Sequence, residues 1–234
     1  VAWVETSPAL PSDDVHVRLL GNEREPLVVV DDFTGQVEEL ARIGRALPYE
    51  PVPGYPGIRS RISSTYLAPR RDLLRRILAT HFGLSAGAKV ESCAFSIVSI
   101  PPEELSPGQR RPHFDATDPN LIALLHFTGD SATGGTAFYR HRRTGFETIR
   151  PDRLVRFTAA IAEDEREHGP LPARYFHGDD PRYEMIGEVE ARPDRVIIYR
   201  GRLLHSGHVP ADPDPRTARE RGRLTINTFL VGNA

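Results

Sequence analysis

Cysteine is almost missing from this chain: Cys93 is the single one in 234 residues. One thiol excludes an internal disulfide framework, and it excludes a zinc site built on several cysteines. Long apolar runs are missing too. No stretch reaches the roughly 18 residues that a membrane span requires, so no membrane partner is expected. Charge of one sign is not in excess. The net charge of −2 gives no reason to expect a nucleic-acid surface or a polybasic membrane patch. The opening VAWVETSPALPSDD has no basic region followed by an apolar core. It does not read as a secretory signal, and a cytoplasmic enzyme is the expectation. Internal repeats and low-complexity tracts are not seen.

What is present is proline (21) and glycine (19), frequent and dispersed. That pattern favours many short elements joined by turns. The length suits one domain, expected over residues 26–234 behind an irregular lead-in at 1–25. The run PLVVVDDF (26–33) reads as a buried strand. A helix follows at 35–47, with Val37, Leu40, Ile43 and Leu47 on one face. Residues 48–60, rich in proline and glycine, read as a long loop. A second helix spans 69–83, with a stripe of Leu73, Leu74, Ile77, Leu78 and Phe82 closed by Gly83. Strands are then expected at 90–100, 121–128, 134–142, 146–149, 183–191, 194–201 and 223–232, with one helix at 154–169. This is an α+β pattern, mainly β. It predicts a jelly-roll core at about 90–232 with the N-terminal helices packed outside.

The segment RPHFDA (111–116) carries His113 and Asp115 two residues apart. Alternation along a strand sends such a pair to the same side. Two histidines and one carboxylate on one face of a metal are a common way to hold non-heme Fe(II) with positions left open. The third ligand is sought in DRVIIYRGRLLHSGH, where His205 follows an apolar strand and a short turn. His208, three residues on, is an alternative. Further along, Arg223 opens an apolar strand and Thr225 shares its face. A guanidinium with a hydroxyl two residues on makes a clamp for a carboxylate.

In this order, His113-x-Asp115, His205 and Arg223-x-Thr225 resemble the signature of the Fe(II)/2-oxoglutarate-dependent oxygenases. The prolyl-4-hydroxylase-like branch and related small bacterial members are the nearest likeness. PLVVVDDF with its helix, LIALLHFTGDSATGGTAFY and LLHSG resemble further parts of that branch. The resemblance implies a double-stranded β-helix core. It implies Fe(II) on His113, Asp115 and His205, 2-oxoglutarate anchored by Arg223 and Thr225, O2 as oxidant, and ascorbate as a possible reductant. The implied reaction is hydroxylation of a C–H bond with release of succinate and CO2. Because Asp115 is present, halogenation is not expected. The interval from His205 to Arg223 is longer than is usual in the family, which leaves Arg216, Arg219 and Arg221 as other claimants for the clamp.

Substrate residues are sought in GYPGIRSRISSTY (54–66), ahead of the core. Arg59 or Arg61 is a candidate for a substrate carboxylate, and Tyr55 or Tyr66 for a pocket wall. Phe114, Tyr139 and Tyr199 read as pocket wall or as sheet packing; from the family pattern, Thr136, Tyr139 or His126 is a candidate to touch the cosubstrate, although His126 reads first as a core histidine. The other histidines (16, 81, 141, 168 and 177) read as surface residues, and Cys93 as a small core residue. The loop PPEELSPGQR (101–110) is expected over the mouth of the site. The expected substrate is a small molecule, an amino acid or natural-product intermediate, taken by a monomer or homodimer. A peptidyl hydroxylase, a cupin-like metalloenzyme without 2-oxoglutarate and a metal-free binding module are the other readings.

Overall fold

In chain order, the computed structural model describes residues 15–129, 132, 134–209 and 217–233. Strands β1 (Val15–Leu20) and β2 (Glu25–Val30) form a hairpin. Helix α1 (Val37–Ala46), short strand β3 (Glu50–Pro51), β4 (Gly57–Arg61) and helix α2 (Arg71–Phe82) follow. The core then runs through β5 (Ala88–Val98), β6 (Leu121–Phe127), β7 (Gly135–His141), helix α3 (Leu154–His168), β8 (Tyr183–Glu190), β9 (Val196–Arg200) and β10 (His205–His208). A single helical turn, α4 (Ala218–Arg221), leads into β11 (Leu224–Gly232).

The large sheet has the order β1-β2-β9-β6-β11-β5-β4-β3, and the small one β10-β7-β8. All the pairings are antiparallel. An isolated bridge between His113 and His205 extends the small sheet by one more position. From β5 onward the chain crosses between the sheets in a regular pattern: β5 large, the His113 bridge small, β6 large, β7 and β8 small, β9 large, β10 small, β11 large. That winding is a double-stranded β-helix, the jelly roll expected from the strand pattern.

Which residues face where explains the sequence of β6. Ile122 and Leu124 pack outward against Leu73, Leu74, Ile77 and Leu78 of α2. Ala123, Leu125 and Phe127 point inward to Phe138 and Val189 of the small sheet. A strand covered on both faces reads as an unbroken apolar run, which is why LIALL shows no alternation. Helix α2 buries the predicted stripe, each such side chain contributing roughly 1.5–3 kcal/mol. It stops at Gly83, whose φ of 73° provides the left-handed cap. Helix α1 lies over β5 and β11 through Leu40, Phe95 and Leu224. Helix α3 covers the outer face of the small sheet through Phe157.

Four local expectations change. Residues 15–20 are not an irregular lead-in but an edge strand, mostly exposed and so without an apolar pattern; residues 1–14 lie outside the described residues. The loop at 48–60 contains β3 and the start of β4. Residues 146–149 form no strand: Thr148 makes one isolated bridge to Leu203, and the Glu147 carboxylate instead accepts the backbone N–H groups of Asn22 and Glu23. Finally, HSGH is itself a strand, β10, too short and polar to read as one.

One carboxylate ties the hairpin to the core. Asp194, at φ 61°, accepts from the N–H groups of Thr34 and Gly35 and the Thr34 hydroxyl, and lies 2.9 Å from His126 Nε2. Asp194→Ala strands these partners at about 1–3 kcal/mol each. The melting temperature is expected to fall by roughly 6 °C or more at about 2–4 °C per kcal/mol. Calorimetry checks this, and an unchanged melting temperature would assign the hairpin's position to the β2–β9 pairing, the Glu147 contacts and its apolar packing.

Candidate active site

The open end of the double sheet holds a cavity of about 530 Å³, within the range that small-molecule sites occupy. His113, Asp115 and His205 all line it. The backbone sets their positions. The His113 N–H donates to the His205 carbonyl and the His205 N–H to the His113 carbonyl, both at 2.8 Å, while the Asp115 N–H donates to the Gly201 carbonyl at 2.6 Å. The segment carrying His113 and Asp115 is thereby stitched to both ends of the β9–β10 turn. The His113 and His205 rings lie 4.3 Å apart. His205 Nε2 is 3.7 Å from Asp115 Oδ2. One donor atom from each of the three residues falls within 4.8 Å of the others.

The donor chemistry suits a divalent transition metal. His205 Nδ1 lies 2.8 Å from the Leu203 carbonyl, so it carries the proton and leaves the Nε2 lone pair free. The surrounding protein pushes both histidines down to about 4. For His113, loss of hydration acts first and the neighbouring His205 second. Both imidazoles are therefore neutral, as ligands must be. Loss of hydration pushes Asp115 up to about 6. Among the described residues its carboxylate meets no hydrogen-bond donor; His205 Nε2 lies 3.7 Å away, and His113 and Arg59 act electrostatically against the rise. Two neutral imidazoles and a carboxylate short of partners make a cation-binding set, and the residues fit Fe(II).

Arg223 stands at the same cavity, one residue ahead of β11 rather than within it. Its Nη2 donates to the Gly135 carbonyl at 2.9 Å. The guanidinium lies 5.5 Å from the Phe127 ring centre, and its buried Nε has no partner. No carboxylate pairs with it among the described residues. Thr225 is fully buried and does not line the cavity; its hydroxyl donates to Asn227 Oδ1 at 2.8 Å, and Asn227 is the residue that reaches the wall. Arg219 instead caps the Leu47 carbonyl and lies over Tyr49. Arg221 is exposed, and Arg216 lies outside the described residues.

Of the substrate candidates, Arg59 lines the cavity, 4.2 Å from the Tyr55 ring centre, with a buried Nε that has no partner. Arg61 is exposed at the end of β4, pointing away. Tyr139 does not line the cavity either: it is fully buried on the other face of the small sheet, edge-on to Phe176 at 5.2 Å. Thr136, Phe114, Tyr55 and Tyr199 are wall residues, whereas Tyr66 and His126 stack on each other in the core. The loop at 101–110 contributes Gly108 and Gln109. Tyr175 joins the wall from the segment after α3 and donates its hydroxyl to the Ile100 carbonyl at 2.6 Å. Nothing in its sequence surroundings marked it, because that segment has no regular pattern. His141 is not a surface residue: it is fully buried, with Nε2 2.6 Å from Asp164. His208 is turned away from the cavity triad, towards Glu188. A smaller cavity of about 50 Å³ beside α3, near Arg110 and Arg182, gathers no comparable ligand set.

Fold and cluster together define a double-stranded β-helix protein with a His-x-Asp…His triad in its open end. The chain belongs to the family of unknown function DUF6445, which matches residues 11–230. No curated protein matches it. Among solved structures it is similar to a prolyl-4-hydroxylase from Pseudomonas putida, at 15% identity over 91% of this chain and 95% of that one, TM-score 0.49. It is similar to HygX from Streptomyces hygroscopicus with nickel, 2-oxoglutarate and hygromycin B bound, at 14% identity, 88% and 83% coverage, TM-score 0.48. A third is an oxidoreductase of the 2OG-Fe(II) oxygenase family from Burkholderia pseudomallei, at 12% identity, 88% and 84% coverage, TM-score 0.46. These are distant likenesses of fold, and the chemistry of the site is argued from its own residues.

Proposed function

We propose that this protein is an Fe(II)- and 2-oxoglutarate-dependent oxygenase acting on a small molecule that carries an anionic group. The observation that carries the proposal is the meeting, in one cavity, of the His113–Asp115–His205 donor set with Arg223, a guanidinium that no carboxylate pairs with among the described residues. Ferrous iron held by the three side chains supplies the redox chemistry: 2-oxoglutarate, O2 and a substrate C–H become succinate, CO2 and a C–OH. The chain's own residues do the positioning. Arg223 takes the far carboxylate of 2-oxoglutarate through charge-assisted bonds, with Asn227 beside it and Thr225 fixing Asn227 from behind. His113 and His205 stay neutral and keep their lone pairs towards the metal. Phe114, Tyr55 and Tyr199 wall the cavity against bulk water, which strengthens the ionic contacts inside it.

Two cations at one cavity call for two anions. Arg223 serves the cosubstrate, and Arg59, held over Tyr55, serves a carboxylate or similar group of the substrate, an amino acid or biosynthetic intermediate. Oxygen uptake by the iron-loaded protein, measured with and without 2-oxoglutarate across a panel of small carboxylates and their amides, tests the reading. The expected result is uptake that requires 2-oxoglutarate, yields succinate and favours the carboxylates. Uptake indifferent to 2-oxoglutarate would place the protein with cupin-like metalloenzymes instead. Failure to take up iron at all would make the jelly roll a binding module.

A further inference from the structure

The histidine that points away from the cavity has partners of its own. His205 and His208 are three residues apart on β10, so strand alternation sends them to opposite faces of the small sheet. On the outer face His208 Nδ1 lies 2.9 Å from Glu188 Oε1, and His177 Nε2 lies 2.9 Å from the same oxygen. The two imidazoles stack, with ring centres 3.7 Å apart and planes 11° from parallel. One donor atom from each residue falls within 4.8 Å of the others. We propose that His177, Glu188 and His208 form a second metal site, for a divalent transition ion of the zinc type, on the outer face of the small sheet.

The arrangement favours a metal over a plain hydrogen-bonded cluster. Glu188 has no Lys or Arg partner among the described residues; its charge partners are the two histidines. Without a metal, the two ring nitrogens share Glu188 Oε1 at 2.9 Å, so the three donor groups already converge on one point. Each ring also has an outward nitrogen able to carry its proton, His177 Nδ1 or His208 Nε2, and neither has a protein partner among the described residues. Two nitrogens and one oxygen, with solvent at the half-exposed fourth position, match a tetrahedral ion. Bond lengths of about 2.0–2.1 Å put tetrahedral ligand atoms roughly 3.3 Å apart. The two 2.9 Å contacts therefore open by a few tenths of an ångström, and the two rings turn out of their parallel stack so that each lone pair aims at the ion, a rotation open to half-exposed side chains.

The ligands come from three places: the segment after α3, β8 and β10. β8 and β10 are held in register by β7 between them, where Ala137 pairs with both Glu188 and Ser206. His177 is the ligand from irregular chain. It follows by two residues the cavity-wall residue Tyr175, whose hydroxyl reaches Ile100. An ion on the outer face thus pins one wall of the inner cavity. The proposal stands whether or not the inner triad holds iron.

Zinc titration of the metal-stripped full chain, by calorimetry or against a chromophoric chelator, tests it. Wild type is expected to take two equivalents. His177→Ala and Glu188→Gln are each expected to weaken the outer equivalent at least 100-fold and to leave the inner one in place. His113→Ala is expected to do the reverse. Circular dichroism on each variant separates lost binding from lost fold, and the two outer-site variants, one in irregular chain and one isosteric, provide independent readings. A folded His177→Ala or Glu188→Gln protein that still binds the outer equivalent as tightly as wild type would overturn the assignment. So would a wild type whose zinc binding vanishes entirely with His113→Ala.

Discussion

Asp115→Ala is expected to abolish iron retention and succinate formation while leaving the metal-free protein at least as stable as wild type. The two halves of this result come from the same feature. In the metal-free protein the Asp115 carboxylate stands in the cavity with no donor, at 3.7 Å from a histidine that stays neutral. Its charge is held at a cost, as its upward push to about 6 records; His113 and Arg59 offset only part of the lost hydration, and removing the carboxylate relieves the remainder. With iron present the sign reverses. The metal stabilises the folded wild type through mass action, and the variant loses that increment along with a direct ligand. Outer-sphere changes cost metal sites roughly 10–100-fold in affinity, and loss of one ligand of three is expected to exceed that. Iron stoichiometry after desalting and melting temperatures with and without Fe(II) are the measurements. An alanine variant that keeps iron would take Asp115 out of the site. One that melts far lower without metal would give Asp115 a structural role that its lack of partners does not suggest.

The meeting of His113, Asp115 and His205 was legible in the sequence from their residue types and order, although His113 and Asp115 lie in no strand and are placed by one bridge to His205 and one bond to Gly201. The strands of the core were legible where both faces are buried, as in β6, or where helix and strand periods differ sharply, as between α2 and β5. What escaped depended on pairing across long sequence distances. β1 is a strand because β2 offers it an edge, not because its residues alternate. β10 is a strand because Gly135–Phe138 lies beside it. Tyr139 was placed at the cavity on the strength of its strand. However, alternation along β7 turns Thr136 and Phe138 inward and Ala137 and Tyr139 outward, where Tyr139 packs on Phe176 and a large ring is core. Thr225 was read as a cavity hydroxyl from alternation alone. Alternation gives the face but not the depth, and Asn227 stands in front of it. The outer cluster was illegible for the same reason: His177, Glu188 and His208 meet only once the small sheet is assembled.

Arg223→Ala is expected to raise the 2-oxoglutarate KM on the order of 100-fold, with a much smaller effect on kcat at saturation. A charge-assisted carboxylate pair contributes about 1.5–3 kcal/mol, and 1.36 kcal/mol is one decade. Because the contact is the same before and during the reaction, its loss weakens binding rather than the chemical step. Arg223→Lys is expected to recover only part of the loss, since an ammonium keeps the charge but not the planar fork. The flanking residues sharpen the test. A Cβ built on Gly207 would lie 3.9 Å from the Arg223 guanidinium carbon, so the guanidinium borders β10 at a residue without a side chain and has room to take a ligand edge-on. Arg59→Ala provides the opposing arm. It leaves the 2-oxoglutarate KM within about threefold, a residual well under 1 kcal/mol, and raises the KM of the primary substrate instead. The two cations share one cavity and neither forms an ion pair with a carboxylate among the described residues, so geometry alone permits the reverse allocation. What favours Arg223 for the cosubstrate is its fixed pose. Its Nη2 is anchored on the Gly135 carbonyl, whereas Arg59 is held by one aromatic face and belongs to an N-terminal strand outside the double-stranded core. If the KM effects came out exchanged, the 2-oxoglutarate site would move to Arg59, and Arg223 would become the residue that reads the substrate.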